Sequence, residues 1–183
     1  FYFPHKETEK LPCLLVRSPA GRTNPYALMF LPLLNEGYCI AIQETRSVKD
    51  TEGKTLPYSS DGWGKEQDGY DTIQYLAKSS YTNGKIGTIG ASAMGITQLL
   101  TAPTNPSGLQ AQHISFATSD LFNHALYEGG ELCKDQVEKW LGLYASHPDV
   151  YGIVCSQSSY NPFWDTYNML PQASNCRTPA IHV

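Results

Sequence analysis

The 183-residue sequence has no concentration of positive charge and no long apolar run. Its 13 Lys and Arg are scattered among 17 Asp and Glu, which gives a net charge of −4, so we expect no nucleic-acid partner. No apolar stretch approaches the roughly 18 residues that span a bilayer, so no membrane partner is expected. With 41% hydrophobic and 16% charged residues, the composition is typical of a globular protein.

The sequence also lacks the cysteine patterns of metal and redox centres. Its five Cys are widely spaced, none forms C-x-x-C, and none lies at ligand spacing from a His. We therefore expect neither a metal nor a cofactor, and we expect Cys13 and Cys39, which lie in apolar runs, to be small core residues. The chain opens on Phe1 instead of Met, so we expect the natural N-terminus to lie upstream, which leaves the cellular compartment open.

Apolar runs alternate with helical patterns over the first two thirds of the chain. Strands are predicted at Leu11 to Arg17, Tyr38 to Gln43, Ile86 to Ile89 and Leu109 to Ala117, and helices at Tyr26 to Asn35 (broken near Pro32), Asp68 to Lys78 and Ala93 to Thr101. This alternation predicts an α/β fold with a mostly parallel sheet and flanking helices. Ligands of such sheets bind at the carboxyl ends of the strands.

The stretch from Lys85 to Ala102, KIGTIGASAMGITQLLTA, places Ser92 between a buried strand and a helix start. This arrangement is typical of a nucleophile elbow, in which a tight turn holds the hydroxyl out of the sheet at the positive end of a helix. The usual pattern G-x-S-x-G has its second glycine two residues after the serine, whereas here that position is Met94 and the glycine is Gly95. The alternative is a glycine-flanked turn with a solvated serine.

The pattern of apolar and polar residues divides the chain into three parts. Residues 1–120 are expected to form the N-terminal part of the core, 121–172 a helical cap inserted over the strand ends, and 173–183 a strand returning to the sheet. Glycines 129 and 130 divide the helical part of this cap.

The polar loop from Glu44 to Gly64 is long enough to suggest a functional role. Glu66, Asp68 and Asp71 are interpreted as charges at a helix start and not as catalytic acids.

Several stretches resemble one family of α/β hydrolases, which includes X-Pro dipeptidyl-peptidases, cocaine esterases and α-amino-acid ester hydrolases. LLVRSPAGR is similar to a strand and turn ending R-x-P-Y-G, and GYCIAIQETRSVKDTEG is similar to G-Y-x-x-x-x-Q-D-x-R-G-x-x-x-S-x-G. EQDGYDTIQYLAKSSYTNGKIGTIGASAMG resembles the most specific stretch, D-G-Y-D-T-I-x-W-L followed by N-G-K-V-G and the elbow G-x-S-Y-x-G. In this family the elbow glycine falls three residues after the serine, as Gly95 does here. Glu44, Ser47 and Thr51 depart from the family's Asp, Gly and Ser.

The resemblance implies a serine hydrolase with Ser92 as nucleophile and the backbone N–H of Ala93 as one oxyanion donor. The family's other donor is a Tyr hydroxyl in the R-x-P-Y-G turn, and that position here is Ala20. Losing one such donor typically costs about 10²–10³ in rate. Activity therefore depends on whether Tyr26 or another group takes the place of the missing hydroxyl.

The resemblance also implies that the triad continues with an acid and then a His. RTPAIHV at the end of the chain resembles the strand that leads into the family's G-G-W-x-D, so acid and base are expected beyond the C-terminus and the fragment is expected to be nearly inactive. Each of the five His is a candidate for a substitute base. His5 is expected at the surface, His113 in the core, His124 and His147 in the cap where either could line a pocket, and His182 in a structural strand position.

Two classes of function follow from the sequence. The first is a serine hydrolase that cleaves small esters, amides or short peptides, including X-Pro peptides, and that needs no cofactor. The second is a non-catalytic relative that uses the fold for binding, which the Ala20 replacement favours. A lipase-like enzyme is disfavoured because no H-G-G-G turn follows a strand. Aromatic residues of the cap are expected either to line an acyl pocket or to pack on one another: Tyr127, Trp140, Tyr160, Phe163 and Trp164. The oligomeric state stays open.

Overall fold

The structure, a computed structural model, describes residues 1–4, 9–48, 56–144 and 149–183. Its strands are β1 (Leu11–Ser18), β2 (Cys39–Glu44), β3 (Thr82–Ala91), β4 (Leu109–Ser115) and β5 (Ala180–His182). They form one sheet in the order β2-β1-β3-β4-β5, and each neighbouring pair is parallel. The predicted α/β fold is confirmed.

The helices of the sheet region lie close to the predicted ranges. The α-helices are α1 (Pro25–Leu28), α2 (Asp68–Lys78), α3 (Ala93–Thr101), α4 (Lys134–Tyr144) and α5 (Val150–Cys155). Short 3₁₀ helices span Leu31–Glu36, Arg46–Val48, Ala102–Thr104, Glu128–Gly130, Trp164–Tyr167 and Leu170–Asn175, and a π-helix spans Phe122–Leu126. None of the helices in the described ranges is both long and apolar enough to cross a membrane.

Helices α2 and α3 cover one face of the sheet, and α1 lies on the other. Ile73 and Leu76 of α2 pack with Cys13 and Cys39 in one buried cluster, so the prediction that these two cysteines are core residues is confirmed. On the opposite face, Ala27 of α1 packs in a cluster that includes Val16. Both faces of β1 and β2 are therefore covered, as expected of strands that read as continuous apolar runs.

The prediction that His113 is a core residue is wrong, because its side chain is exposed. His113 pairs in register with Ile89, which packs on the face of the sheet that carries α1. The apolar cluster around α1 contains no residue of β4. This face of β4 is therefore uncovered in the described part of the chain. The neighbours Gln112 and Ile114 point to the other face, under α3, and are buried.

Between β4 and β5 the chain forms short helices around a third apolar cluster. Leu126, Val137, Leu141 and Val154 pack there with α3 residues that include Leu100. Gly129 and Gly130 both have positive φ, 65° and 90°, and they interrupt the helical stretch where the sequence predicted a division. The final strand is shorter than the predicted segment 173–183, and it pairs with β4.

Two glycines allow helix α3 to lie close to the sheet, Gly90 in β3 and Gly95 in α3 itself. A Cβ on Gly90 would lie 2.5 Å from Met94 Cβ, and a Cβ on Gly95 would lie 2.6 Å from Ala117 Cβ. Real side chains do not approach so closely, so both positions must lack a Cβ for the strand and the helix to keep this separation. The backbone is thereby forced into a sharp turn between β3 and α3.

A buried ion pair joins the end of β1 to the loop before α2. Arg17 contacts Asp61, and both side chains are almost completely buried. Arg17 Nε also donates to Gln43 Oε1 at 2.8 Å, which ties the pair to β2. Burial raises the pKa of the Asp61 carboxyl, and the charge and hydrogen bond of Arg17 oppose that effect.

A second charged contact fixes the start of α2. Arg46 donates to both carboxylate oxygens of Asp68, at 2.6 and 3.0 Å, and Ser60 Oγ donates to the same carboxylate at 2.8 Å. Burial alone would raise the pKa of Asp68, but these hydrogen bonds and the nearby arginine charges outweigh it and lower the pKa. Arg46 also reaches Glu66 at 3.5 Å. The contacts support the structural interpretation of Glu66 and Asp68.

We expect Gly95→Ala to lower the free energy of unfolding by about 1–3 kcal/mol, because the added methyl overpacks the α3 crossing. Gly142→Ala in the exposed last turn of α4 is the matched control, since a Cβ there meets nothing within 4 Å. That control should raise the free energy of unfolding by up to about 1 kcal/mol through helix propensity. Urea unfolding measures both changes, and equal stabilisation by the two substitutions would contradict the close crossing.

We expect Asp68→Asn to lower the free energy of unfolding by about 1 kcal/mol at pH 7, because it removes a charged acceptor of three hydrogen bonds. The folded-state pKa is lowered, so this contribution is present above the unfolded-state pKa and is lost as pH falls through the folded-state value. The difference between wild type and variant should therefore shrink as the pH is lowered from 7 towards 3. Asp71→Asn, in the same helical turn but exposed, should show little change; a pH-independent difference for Asp68→Asn would contradict the argument.

Candidate active site

Ser92 occupies the turn between β3 and α3 in a conformation that L-residues rarely adopt. Its φ and ψ are 52° and −121°, and its side chain is exposed. The Ser92 N–H donates to the carbonyl of Ser115 at 2.8 Å, and its own carbonyl accepts from the N–H groups of Gly95 and Ile96 at 2.8 and 2.9 Å. These bonds hold the strained backbone in place, a pattern that recurs at functional sites.

Ser92 opens onto a cavity of about 380 Å³ at the carboxyl end of the sheet. Ala93 lies next to it in the first turn of the nine-residue helix α3, where backbone N–H groups have no acceptor within the helix. Ala20 lines the same cavity from the turn after β1, in which the Gly21 N–H donates to the Ser18 carbonyl at 3.3 Å. The structure therefore brings together the three residues that the sequence singled out, Ser92, Ala93 and Ala20.

The other walls of the cavity are apolar and aromatic. Tyr26 and Met29 approach from α1 and the residue after it, and Leu143 and Tyr144 from the end of α4. Burial raises the pKa of the Tyr144 hydroxyl, and the nearby Tyr26 raises it further. Leu143 and Tyr144 could not be recognised as cavity residues from the sequence, because their place above Ser92 depends on how α4 packs over the strand ends.

No histidine among the described residues reaches Ser92. His113, His124 and His182 are exposed, and none of them lines the cavity at Ser92. His5 and His147 lie outside the described residues, as does Thr51. The Ser92 hydroxyl has no hydrogen-bond partner within the described ranges, so this part of the chain places no general base beside it. The expectation that His124 lines a pocket at the site is not supported.

The five aromatic residues that the sequence singled out in the predicted cap pack on other residues and do not line the cavity at Ser92: Tyr127, Trp140, Tyr160, Phe163 and Trp164. Trp164 lies 5.1 Å from Phe122 and 4.9 Å from Phe163, measured between ring centroids. Trp140 stacks on Tyr58 at 5.4 Å. The Tyr127 hydroxyl donates to the carbonyl of Val154 at 3.2 Å. Of the two interpretations that the sequence left open for these aromatics, the contacts support mutual packing.

Phe116 is a second strained residue beside Ser92, and the sequence did not single it out. It follows Ser115 at the end of β4, as Ser92 follows Ala91 at the end of β3, and these two strand residues pair in register. Phe116 has a φ of 49°, and 81% of its surface is exposed. The strand ends next to Ser92 therefore carry an apolar residue on the side opposite to Ala20.

The described residues contain no group of three or more His, Cys, Asp or Glu side chains that could hold a metal ion. The five cysteines are free thiols. Residues that line the cavity at Ser92 carry no formal charge within the described ranges. The polar side chains that line the cavity are the hydroxyls of Ser18 and Ser92, the amide of Asn24 and the phenols of Tyr26 and Tyr144.

The chain is similar in sequence or in structure to several known hydrolases. It is 30% identical over 158 residues to cocaine esterase of Rhodococcus sp. (strain MB1 Bresler), an alignment that covers 83% of this chain and 26% of that protein. A CocE/NonD family hydrolase from Staphylococcus aureus superposes with a TM-score of 0.78 at 19% identity, covering 96% of this chain and 36% of that one. An alpha-amino acid ester hydrolase superposes with a TM-score of 0.76 at 18% identity, covering 98% and 39%. The chain thus spans between a quarter and two fifths of these relatives.

A family profile decides the assignment. The profile of X-Pro dipeptidyl-peptidase (S15 family) matches residues 1–153, which include β1 to β4, the turn at Ser92 and the turn at Ala20. The predicted family resemblance is confirmed, and the chain belongs to the S15 family of X-Pro dipeptidyl-peptidases.

Proposed function

We propose that this chain is the nucleophile-bearing part of a serine hydrolase and that Ser92 is the nucleophile. The observation that carries the proposal is the strained, exposed Ser92 at the start of α3, held by its hydrogen bond to Ser115. An outlier of this kind persists only where the surrounding structure enforces it. Here it presents the hydroxyl to the cavity with the positive end of the helix behind it.

The proposed reaction proceeds through an acyl-enzyme. Ser92 Oγ attacks the carbonyl carbon of an ester or amide and loses its proton to a general base, while the carbonyl oxygen becomes an oxyanion. The backbone N–H of Ala93 donates to this oxyanion. The leaving alcohol or amine takes the proton from the base, and water then attacks the acyl-enzyme to release the acid and restore Ser92.

The acid and base of the triad are proposed to come from sequence beyond residue 183. Two observations support this. The described histidines are exposed and away from the cavity, and the relatives are between two and four times as long as this chain. Without a base, a serine hydroxyl is a weak nucleophile at neutral pH, so residues 1–183 alone should have little activity.

The cavity favours an uncharged substrate group. Its wall beyond Ser92 consists mainly of Pro19, Met29, Leu143, Tyr26 and Tyr144. An apolar acyl or alcohol group gains free energy by leaving water in such a cavity, whereas a charged group loses hydration without gaining a partner. We propose small esters or amides as substrates, with X-Pro peptides included, and we propose that residues 121–172 act as the cap that brings α4 over the site.

A fluorophosphonate probe tests Ser92 directly. In the protein expressed from its complete coding sequence, the probe should label Ser92, and Ser92→Ala should abolish labelling and lower ester hydrolysis by about 10⁴-fold or more. Ser107→Ala, which removes an exposed hydroxyl from the turn before β4, is the matched control and should behave as wild type. Labelling or hydrolysis that survives Ser92→Ala would disprove the assignment.

A binding protein is the second candidate, and the specific observation that favours it is Ala20. A methyl group at this position cannot donate to an oxyanion, so the cavity lacks one hydroxyl that the resemblance leads us to expect. If the chain serves binding alone, ester analogues should bind with the same affinity to wild type and Ser92→Ala, with no turnover in either. Ester turnover that depends on Ser92 would exclude this candidate.

A further inference from the structure

The side chain of Ala20, in the turn after β1, brings no hydrogen-bond donor to the cavity at Ser92. Its methyl group lines the cavity in a turn closed by the Gly21 N–H to the Ser18 carbonyl, and Ser18 and Asn24 line the cavity on either side of it. An oxyanion formed on Ser92 would receive the Ala93 N–H from one side. Its second lone pair needs a donor from the side on which Ala20 stands.

Tyr26 brings a hydroxyl to this same side of the cavity. It lies six residues after Ala20, in the first turn of α1, and 72% of its surface is exposed. Both Tyr26 and Ala20 line the cavity at Ser92. The phenol is therefore not committed to core packing.

The backbone of Tyr26 is fixed relative to Ser92 by two contacts. The Tyr26 N–H donates to Asn24 Oδ1 at 2.9 Å, an N-cap that fixes the start of α1, and Pro25 sets the backbone angle at the first helical position. The next residue, Ala27, is completely buried and packs in one cluster with Met94, two residues after Ser92. The helix that carries Tyr26 is thus anchored on the helix that follows Ser92.

A second phenol, Tyr144, lines the cavity from α4 and lies near the Tyr26 hydroxyl. Tyr144 is half-buried and stacks edge-on against Trp140 at 5.7 Å, so its ring is held by the packing of α4. Tyr26 has no ring contact of this kind in the described part of the chain. Of the two hydroxyls, that of Tyr26 is on the segment that carries Ala20 and has the freedom to reach the oxyanion.

We propose that the Tyr26 hydroxyl is the second oxyanion donor, in place of the side chain that Ala20 lacks. The inference rests on the proposed role of Ser92 as nucleophile. The neutral phenol donates one hydrogen bond to the oxyanion as the Ser92 Oγ–carbon bond forms, and no proton is transferred to or from it. The Ala20 methyl leaves the space that the Tyr26 ring needs to enter the cavity.

The test uses hydroxyl deletion and relocation in the protein expressed from its complete coding sequence. The variants are Tyr26→Phe, Tyr144→Phe, Ala20→Tyr and the double variant Ala20→Tyr/Tyr26→Phe. Tyr81→Phe is the matched control, because Tyr81 is also exposed but precedes β3 at the opposite end of that strand. The readouts are kcat and KM for a p-nitrophenyl ester and the rate of fluorophosphonate labelling of Ser92.

We expect Tyr26→Phe to lower kcat and the labelling rate by about 10²–10³-fold with KM nearly unchanged, because the donor acts on the oxyanion and not on the bound ester. Ala20→Tyr in the same variant should restore most of kcat, a rescue that a merely structural role of Tyr26 would not produce. Tyr81→Phe should match wild type.

Full kcat in Tyr26→Phe would overturn the proposal, and so would a loss of kcat confined to Tyr144→Phe, which would assign the donor to α4. If Ser92→Ala retains turnover and labelling, the proposed function itself fails, and that result is independent of any Tyr26 variant. A wild-type protein that neither turns over the ester nor reacts with the probe overturns both.

Discussion

The close contact between α3 and the sheet is the constraint on which the site depends. Gly90 and Gly95 allow the helix to approach so near that any Cβ at either position would overlap its neighbours. The chain can join strand to helix at this separation only through a sharp turn, and the residue in the turn takes a positive φ. Ser92 therefore has a strained backbone and an exposed hydroxyl, and the hydrogen bonds of its own N–H and carbonyl stabilise that conformation.

The fold assembles the surroundings of Ser92 from segments far apart in sequence. One side of the cavity is formed by α1 and by the turn that follows β1. Phe116, at the end of β4, lies on the other side of Ser92, and the end of α4 lies over the cavity. Because parallel strands all end at the same edge of the sheet, each strand delivers its following loop to this place. Membership of the S15 family agrees with this arrangement.

Features that depend on residues close together in sequence could be predicted, and features that depend on tertiary packing could not. The bounds of α2 and α3 agree with prediction because capping, charge and Pro103 act within a few residues. Strand β3 extends well beyond the predicted Ile86 to Ile89, since ladder hydrogen bonds need only backbone groups and so tolerate its glycines. The exposure of His113 and the position of Tyr144 could not be read from sequence, because both depend on which helix covers which part of the sheet.

The buried pair of Arg17 and Asp61 has a consequence for how substitutions in this protein should be interpreted. Removing either partner leaves the other charge buried without compensation, a cost of about 3–5 kcal/mol, whereas replacing both by apolar groups of similar volume can be neutral. Single-residue mutational scans should therefore find both positions intolerant, although neither side chain lines the cavity at Ser92. Arg17 precedes Ser18 of the cavity wall, so this intolerance could easily be mistaken for a catalytic role. Paired replacement would reveal that the two positions constrain each other and not the substrate.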